Sequence, residues 1–220
     1  MSDFSTELAE RLQSSIKNNL KNDEDIAKLL SIIFNSSTYS DAYEYAFRYG
    51  EHFVSALNEL GIEEWLFGTA MEVFEPSIME MYSNIGDVCA TIQINKNDAD
   101  GLGLAPQIDA YDIYDTKSLV GNIVENPATL SQEITTFAEK IVDKTQKKNA
   151  DFLLDSGLKI RVSREYDGVG LRRGTKSAEN CAWCLERAGT RVFKNATQAG
   201  DSGMFARHSG CNCSIDYRRL

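Results

Sequence analysis

The sequence predicts an α+β protein: a mainly helical N-terminal body, a long helix, and a small C-terminal antiparallel β element carrying a Cys/His cluster. Three observations predict it. Apolar residues recur at helical spacing through the first half of the chain, and a long amphipathic run after residue 129 stops at Gly157. The period then drops from about 3.6 to about 2 in "LKIRVSREY", the alternation of a half-buried strand.

The chain divides into three segments on this reading: an acidic helical body, 1–110, ending in a polar loop; a connector and long helix, 111–156; and a small α+β Cys/His module, 157–220. In the body, Leu8, Leu12, Ile16 and Leu20 form one stripe at every fourth position. Asp23 stands where an N-cap belongs, ahead of Ile26, Leu29, Leu30 and Ile33. Tyr43, Phe47, Val54 and Leu57, flanked by Ala46, Phe53 and Leu60, mark a third helix, and Gly61 its C-terminal end. A fourth helical run, "EEWLFGTAMEVF", meets Pro76, which predicts a kink or a restart. His52 and Cys89 read as structural residues: His52 has no cysteine or second histidine near it, and buried free cysteine commonly behaves as a small hydrophobe. Residues 95–110, "NKNDADGLGLAPQIDA", read as a long loop. "GLGLA" lacks a dinucleotide fingerprint's third glycine, and the "DAD" spacing is not that of an EF-hand.

Thr129 and Gln132 have capping-box spacing, and Leu130, Ile134, Phe137, Ile141 and Phe152 trace one face of the next helix. After Gly157, Ile160 and Val162 alternate with Arg161 and Ser163. "TRVF" and "CSIDY" read as two more strands, "SAENCAWCLERAG" as a short helix, and "ATQAGDSG" as a surface loop.

Composition excludes some functional classes. With 42% hydrophobic and 25% charged residues in 220, this is an ordinary globular composition. No apolar run approaches the roughly 20 residues of a membrane span. "MSDFSTELAERLQ" has neither a basic nor an apolar signal region, which points to a protein kept in the cytoplasm or assembled there. The net charge of −10 is uneven: −13 over residues 1–110, +3 over 111–220, and +6 over 157–220 alone. Such polarity suits an acidic body turned away from an anionic partner that the basic end approaches.

Four of the five cysteines lie in the last segment, spaced C-x2-C, then 23 residues, then H-x2-C-x-C. Cys181, Cys184, His208, Cys211 and Cys213 are therefore five candidates for the four places of a tetrahedral zinc ion. C-x-C on a strand would set Cys211 and Cys213 on one face, allowing an all-thiolate site without His208; alternatively Cys213 is a core residue of the last strand. Packed or oxidised thiols are a competing reading, and a thiol catalyst pairing Cys184 or Cys211 with His208 is a third, which would need an activated thiolate.

The pieces "FAEKIVDKTQKKNADF", "GLKIRVSREY", "CAWCLERAGTRVF" and "FARHSGCNCSIDY" resemble, in order and spacing, the C-terminal region of tailed-bacteriophage minor head proteins of the Mu-like head morphogenesis group. The resemblance covers about residues 129–217; it departs at Arg187, where the pattern has leucine. It implies a non-enzymatic, low-copy virion protein acting in head morphogenesis, at the capsid interior or portal vertex. The implied partners are the portal and/or major capsid protein and packaged DNA, with no membrane; the spacing of the cluster makes one structural zinc ion the expected cofactor. The family's cluster falls on the five Cys/His residues named above, and Arg164, Trp183 and Arg207 fall on its other recurring positions. Trp183 is expected to pack under the long helix. Arg164 and Arg207 suit a phosphate or a partner carboxylate, with local ion pairs as the alternative. A second functional class, a zinc-stabilised nucleic-acid module, would use Arg161, Arg172, Arg173, Lys176, Arg191 and Arg207 as its phosphate face.

Overall fold

The computed structural model describes residues 3–61, 65–166 and 181–220; Arg172, Arg173 and Lys176 lie outside them. Helix α1 (Asp3–Asn22) turns into α2 (Glu24–Ile33) at Asp23. There the Asp23 carboxylate accepts the amides of Asp25 at 2.8 Å and Ile26 at 3.1 Å, the expected cap. Its other oxygen meets His52 Nε2 at 2.8 Å, from α3 (Ser40–Glu59), so His52 is a structural link as expected. Leu30, expected on the buried stripe of α2, is instead 38% exposed. Gly61, at φ +67°, lies just beyond the end of α3.

Helix α4 (Phe67–Ala99) runs 33 residues through Pro76, so the helix does not restart there. Proline removes one hydrogen bond, but Val73, Phe74, Ser77 and Ile78 around it are all buried, and packing outweighs the local penalty. The helix also absorbs the start of the expected 95–110 loop. The connection from α4 to the next helix, residues 100–112, is pinned to the long helix: Gln107 exchanges two bonds with Asn149, at 2.8 and 2.7 Å.

Helix α5 (Ile113–Glu125) and a 3-10 turn (Pro127–Thr129) lead into α6 (Leu130–Asp155). The expected capping box is absent. The Thr129 hydroxyl donates to the Asn126 carbonyl at 2.8 Å, because the 3-10 turn already occupies the approach to the helix. Ile134, Phe137 and Ile141 are buried as expected, whereas Phe152 is 40% exposed near the helix end. Gly157, at φ +80°, closes α6 with Leu158 N–H on the Leu153 carbonyl, a Schellman ending.

Strands β1 (Ile160–Glu165), β2 (Gly189–Phe193) and β3 (Ser214–Arg219) form one antiparallel sheet in the order β2-β1-β3. Helix α7 (Ala182–Arg187) precedes β2, and α8 (Ala196–Asp201) comes after it. The expected surface loop "ATQAGDSG" is thus largely α8, capped by Asn195 and anchored by buried Ala199. Ile160, Val162, Phe193, Ile215 and Tyr217 turn inward and join the helices in a single cluster of buried apolar side chains that extends from Leu8 to Tyr217. The three segments therefore share one core. Its most extensive helix contact is between α3 and α6, where Gly50 lets the backbones approach: a Cβ there would lie 2.9 Å from Thr135 Cα. No helix among the described residues is long and apolar enough to cross a membrane.

Candidate metal centre

The short helix α7 begins at its own ligand candidate. Cys181 is the N-cap, its sulfur accepting the Cys184 amide at 3.4 Å, so C-x2-C turns both thiols to one side. The segment from Arg207 to Cys213 supplies the rest. His208 Nε2 lies 3.3 Å from Cys181 Sγ and 3.0 Å from Cys184 Sγ, and Cys184 Sγ lies 3.6 Å from Cys211 Sγ. Cys181, Cys184 and His208 form one triplet of close ligand atoms, and Cys184, Cys211 and Cys213 a second, sharing Cys184. All five sequence candidates are brought together, in two triplets that could each hold a metal ion.

The three close separations approach those between ligands of one ion, although no four of the five ligand atoms lie within 4.8 Å of one another. Ligand bonds of about 2.3 Å to sulfur and 2.0–2.1 Å to nitrogen put neighbouring sulfurs roughly 3.8 Å apart, and sulfur and nitrogen roughly 3.5 Å apart. The observed separations are slightly shorter than those values. His208 Nδ1 lies 2.7 Å from the Ser209 carbonyl, which only accepts. The proton is therefore on Nδ1, leaving the Nε2 lone pair facing the two sulfurs, the usual outer support of a ligating imidazole. Burial, reinforced by Cys211, pushes the Cys184 thiol up to about 12. Cys211 is raised further, by its hydrogen bond with Cys213 and by burial. Cys89, remote from the cluster, is fully buried, and that burial raises its thiol too.

The loop carrying His208 and Cys211 is fastened to α6 by a stripe of polar side chains. Ser209 Oγ donates to Glu133 at 2.6 Å, and the Gly210 amide donates to Thr136 Oγ1 at 2.9 Å. Gly210 has φ +72°, a left-handed conformation that favours glycine, and a Cβ there would displace the end of the Gln132 side chain. Beneath the loop lies Arg207, whose side chain is fully buried. It donates to Asp143 at 2.6 Å and Glu139 at 2.7 Å, and to the carbonyls of Cys211 at 2.5 Å and Cys213 at 2.7 Å. Tyr43 extends the network through Asp143 and Gln146.

Arg207 and Arg164 are thus not outward contacts for a partner or nucleic acid, as one sequence expectation had them. Arg207 forms local ion pairs, the stated alternative. Arg164, 2% exposed, binds the carbonyls of Met204 and Ala206. Arg161 is exposed on the sheet, and Arg191 is exposed on β2. Trp183 does not pack under α6. Its ring stands edge-on to His208 with centroids 5.0 Å apart, and the Arg187 guanidinium lies 4.0 Å from its centroid. The arginine at the family pattern's leucine position therefore covers the indole.

The α6 residues Gln132, Glu133, Thr136, Glu139 and Asp143 were missed as a site. Their signal in the sequence is a second, polar stripe at helical spacing beside the apolar one. Comparison with known protein families, with curated proteins and with solved structures gives no match.

Proposed function

We propose that this chain is a non-enzymatic structural protein, a minor head protein of a tailed bacteriophage, whose Cys/His cluster holds one structural zinc ion. The observation that carries the reading is the convergence of the separate motif pieces. "CAWCLERAGT" and "FARHSGCNCSIDY" supply the ligand groups of one centre, and the "FAEKIVDK" helix supplies the carboxylates that lock Arg207 beneath it. Thiol and imidazole donors gathered in two triplets that share Cys184 favour zinc. Thiols raised by burial oppose the thiol-enzyme reading, which needs a depressed one. The protein would meet portal and/or major capsid protein in the host cytoplasm during assembly and remain in the virion at low copy, at the capsid interior or portal vertex.

The test is co-expression with the portal and major capsid proteins of the same genome, and then sedimentation of the procapsids. A few copies per particle are expected; a chain that stays entirely in the unassembled fraction overturns the reading. Elemental mass spectrometry of chelator-free protein checks the metal, with one zinc per chain expected.

One observation favours the second reading, contact with packaged DNA. On the outer face of the sheet Arg161 stands directly opposite Arg218, both exposed, a like-charge pairing that destabilises a bare sheet. Exposed Lys159 and Lys194 sit at the same end, just before β1 and just after β2. A phosphate backbone would relieve that repulsion. Titration of the full chain with duplex DNA should show affinity falling steeply with salt, and Arg161→Gln with Arg218→Gln should flatten that slope. Binding that is absent at low salt sinks this reading.

A further inference from the structure

Arg164 is a buried charge of the C-terminal element whose partners, among the described residues, do not balance it. It lies on β1 with Ile160 and Val162 on the inward face and is 2% exposed. Nη1 donates to the carbonyls of Met204 at 2.8 Å and Ala206 at 2.6 Å, and Nη2 donates to Cys211 Sγ at 3.2 Å. Nε, also buried, has no hydrogen-bond partner among the described residues. The guanidinium carbon lies 5.3 Å from the Trp183 ring centroid. Among the described residues no carboxylate comes within ion-pair distance of it, whereas neighbouring Arg207 has two. A guanidinium does not deprotonate in a protein, and a buried, unbalanced cation is strongly unfavourable. Carbonyls and an indole face soften that cost without cancelling it.

The missing charge is supplied if the sulfur beside Arg164 belongs to a metal–thiolate centre. A divalent ion held by three thiolates and one neutral imidazole carries one net negative charge. We propose that Arg164 is the counter-charge of that centre and selects its fourth ligand, making the set Cys181, Cys184, His208 and Cys211, with Cys213 packed beside it as a thiol. This rests on the reading that the cluster holds a divalent metal. The N–H···S bond reaches Cys211, the sulfur 3.6 Å from Cys184; Cys211 lies within 4.8 Å of Cys184 and Cys213 but not of both Cys181 and His208, so binding would have to draw it towards that triplet. Charge-assisted donors strengthen bonds to an anionic acceptor far more than to a neutral one, so the bond favours the ligating form of Cys211. The one-charge balance also decides between ligand sets: four thiolates without His208 would leave a doubly negative centre facing one guanidinium.

The experiment uses the full chain with Co2+ and Zn2+ as probes. Affinity is read by chelator competition, thiolate number by the sulfur-to-cobalt charge-transfer intensity, and thermal midpoints with metal and with chelator. Arg164→Met is expected to weaken metal binding about 10–100-fold, the usual effect of losing an outer-shell partner. Because the bonds to Met204 and Ala206 are lost in either state, its midpoint should fall further with metal than in chelator. Arg164→Lys, which keeps the charge, should stay within about tenfold of wild type, and it carries the test if Arg164→Met does not fold. Cys213→Ser should keep one metal with three-thiolate intensity, and Cys211→Ser should lose it. Equal midpoint losses with and without metal, at unchanged affinity, would reduce Arg164 to a packing residue and overturn the proposal. So would loss of metal in Cys213→Ser with retention in Cys211→Ser. A wild-type chain that binds neither ion overturns the metal reading itself, a result distinct from either.

Discussion

At the scale of single residues, the chain's strongest commitment is Arg207. It joins two carboxylates of α6 to two carbonyls of the cysteine loop with no solvent contact. Removing one partner of such a pair strands the others, so Arg207→Met should cost about 3–5 kcal/mol in urea unfolding. Arg207→Lys should recover little, because a single ammonium cannot span four acceptors. Asp23 makes a milder prediction. Burial alone would raise its carboxyl, but the bonds from His52 and from the Ile26 and Asp25 amides outweigh that and hold it below its ordinary value. A depressed carboxyl stabilises the fold above its unfolded value and loses that contribution as pH falls through the folded one. Asp23→Asn should therefore keep most of the cap at pH 7 yet flatten the stability loss below about pH 4, whereas Asp23→Ala should cost about 1 kcal/mol at neutral pH. The cap and the Cys/His spacing were legible because each is a local pattern. The role of Arg207 was not, since Asp143 lies 64 residues earlier in the chain.

Among elements, the contact of α3 with α6 is set by Gly50. Gly50→Ala would drive a methyl into the Thr135 backbone, and denaturant unfolding should show a loss of about 1–3 kcal/mol despite alanine's better helix propensity. Apolar periodicity located α1, α2, α3 and α6, because amphipathic stripes survive folding. It did not show that the helix continues past Pro76, where a buried face overrides a broken bond, and it missed "ATQAGDSG", where an asparagine cap and one buried alanine make a helix from a loop-like composition. On α6 the apolar stripe was legible and the polar stripe beside it was not. A carboxylate on a helix looks solvated until a buried arginine is known to face it.

For the whole molecule, the shared core and the Cys/His centre make separable contributions. The inward face of the sheet packs with the helices, and the Tyr217 hydroxyl donates to Gln93 of α4 at 2.8 Å. On the metal reading proposed above, the ligand loop depends on the ion that its sulfurs and His208 would hold. Chelation should therefore release amide protection over α7, β2 and the loop before β3, and leave α3, α4 and α6 protected, as read by hydrogen exchange. Uniform loss of protection would show that the centre holds the entire fold. The α+β class was visible from the change of period alone. The joining of three sequence segments into one core was not, because it depends on contacts between residues far apart in the chain.

The strand order β2-β1-β3 has a consequence for how the chain is made. The middle strand is synthesised first, and both of its neighbours come later, from Gly189 and from Ser214. Until they arrive, β1 is a strand with two open edges, carrying a guanidinium on the side destined for the interior. Such an edge is a template for pairing with other chains. Soluble yield should then track how quickly the later segments are captured, and, on the zinc reading proposed above, it should also rise with zinc in the growth medium.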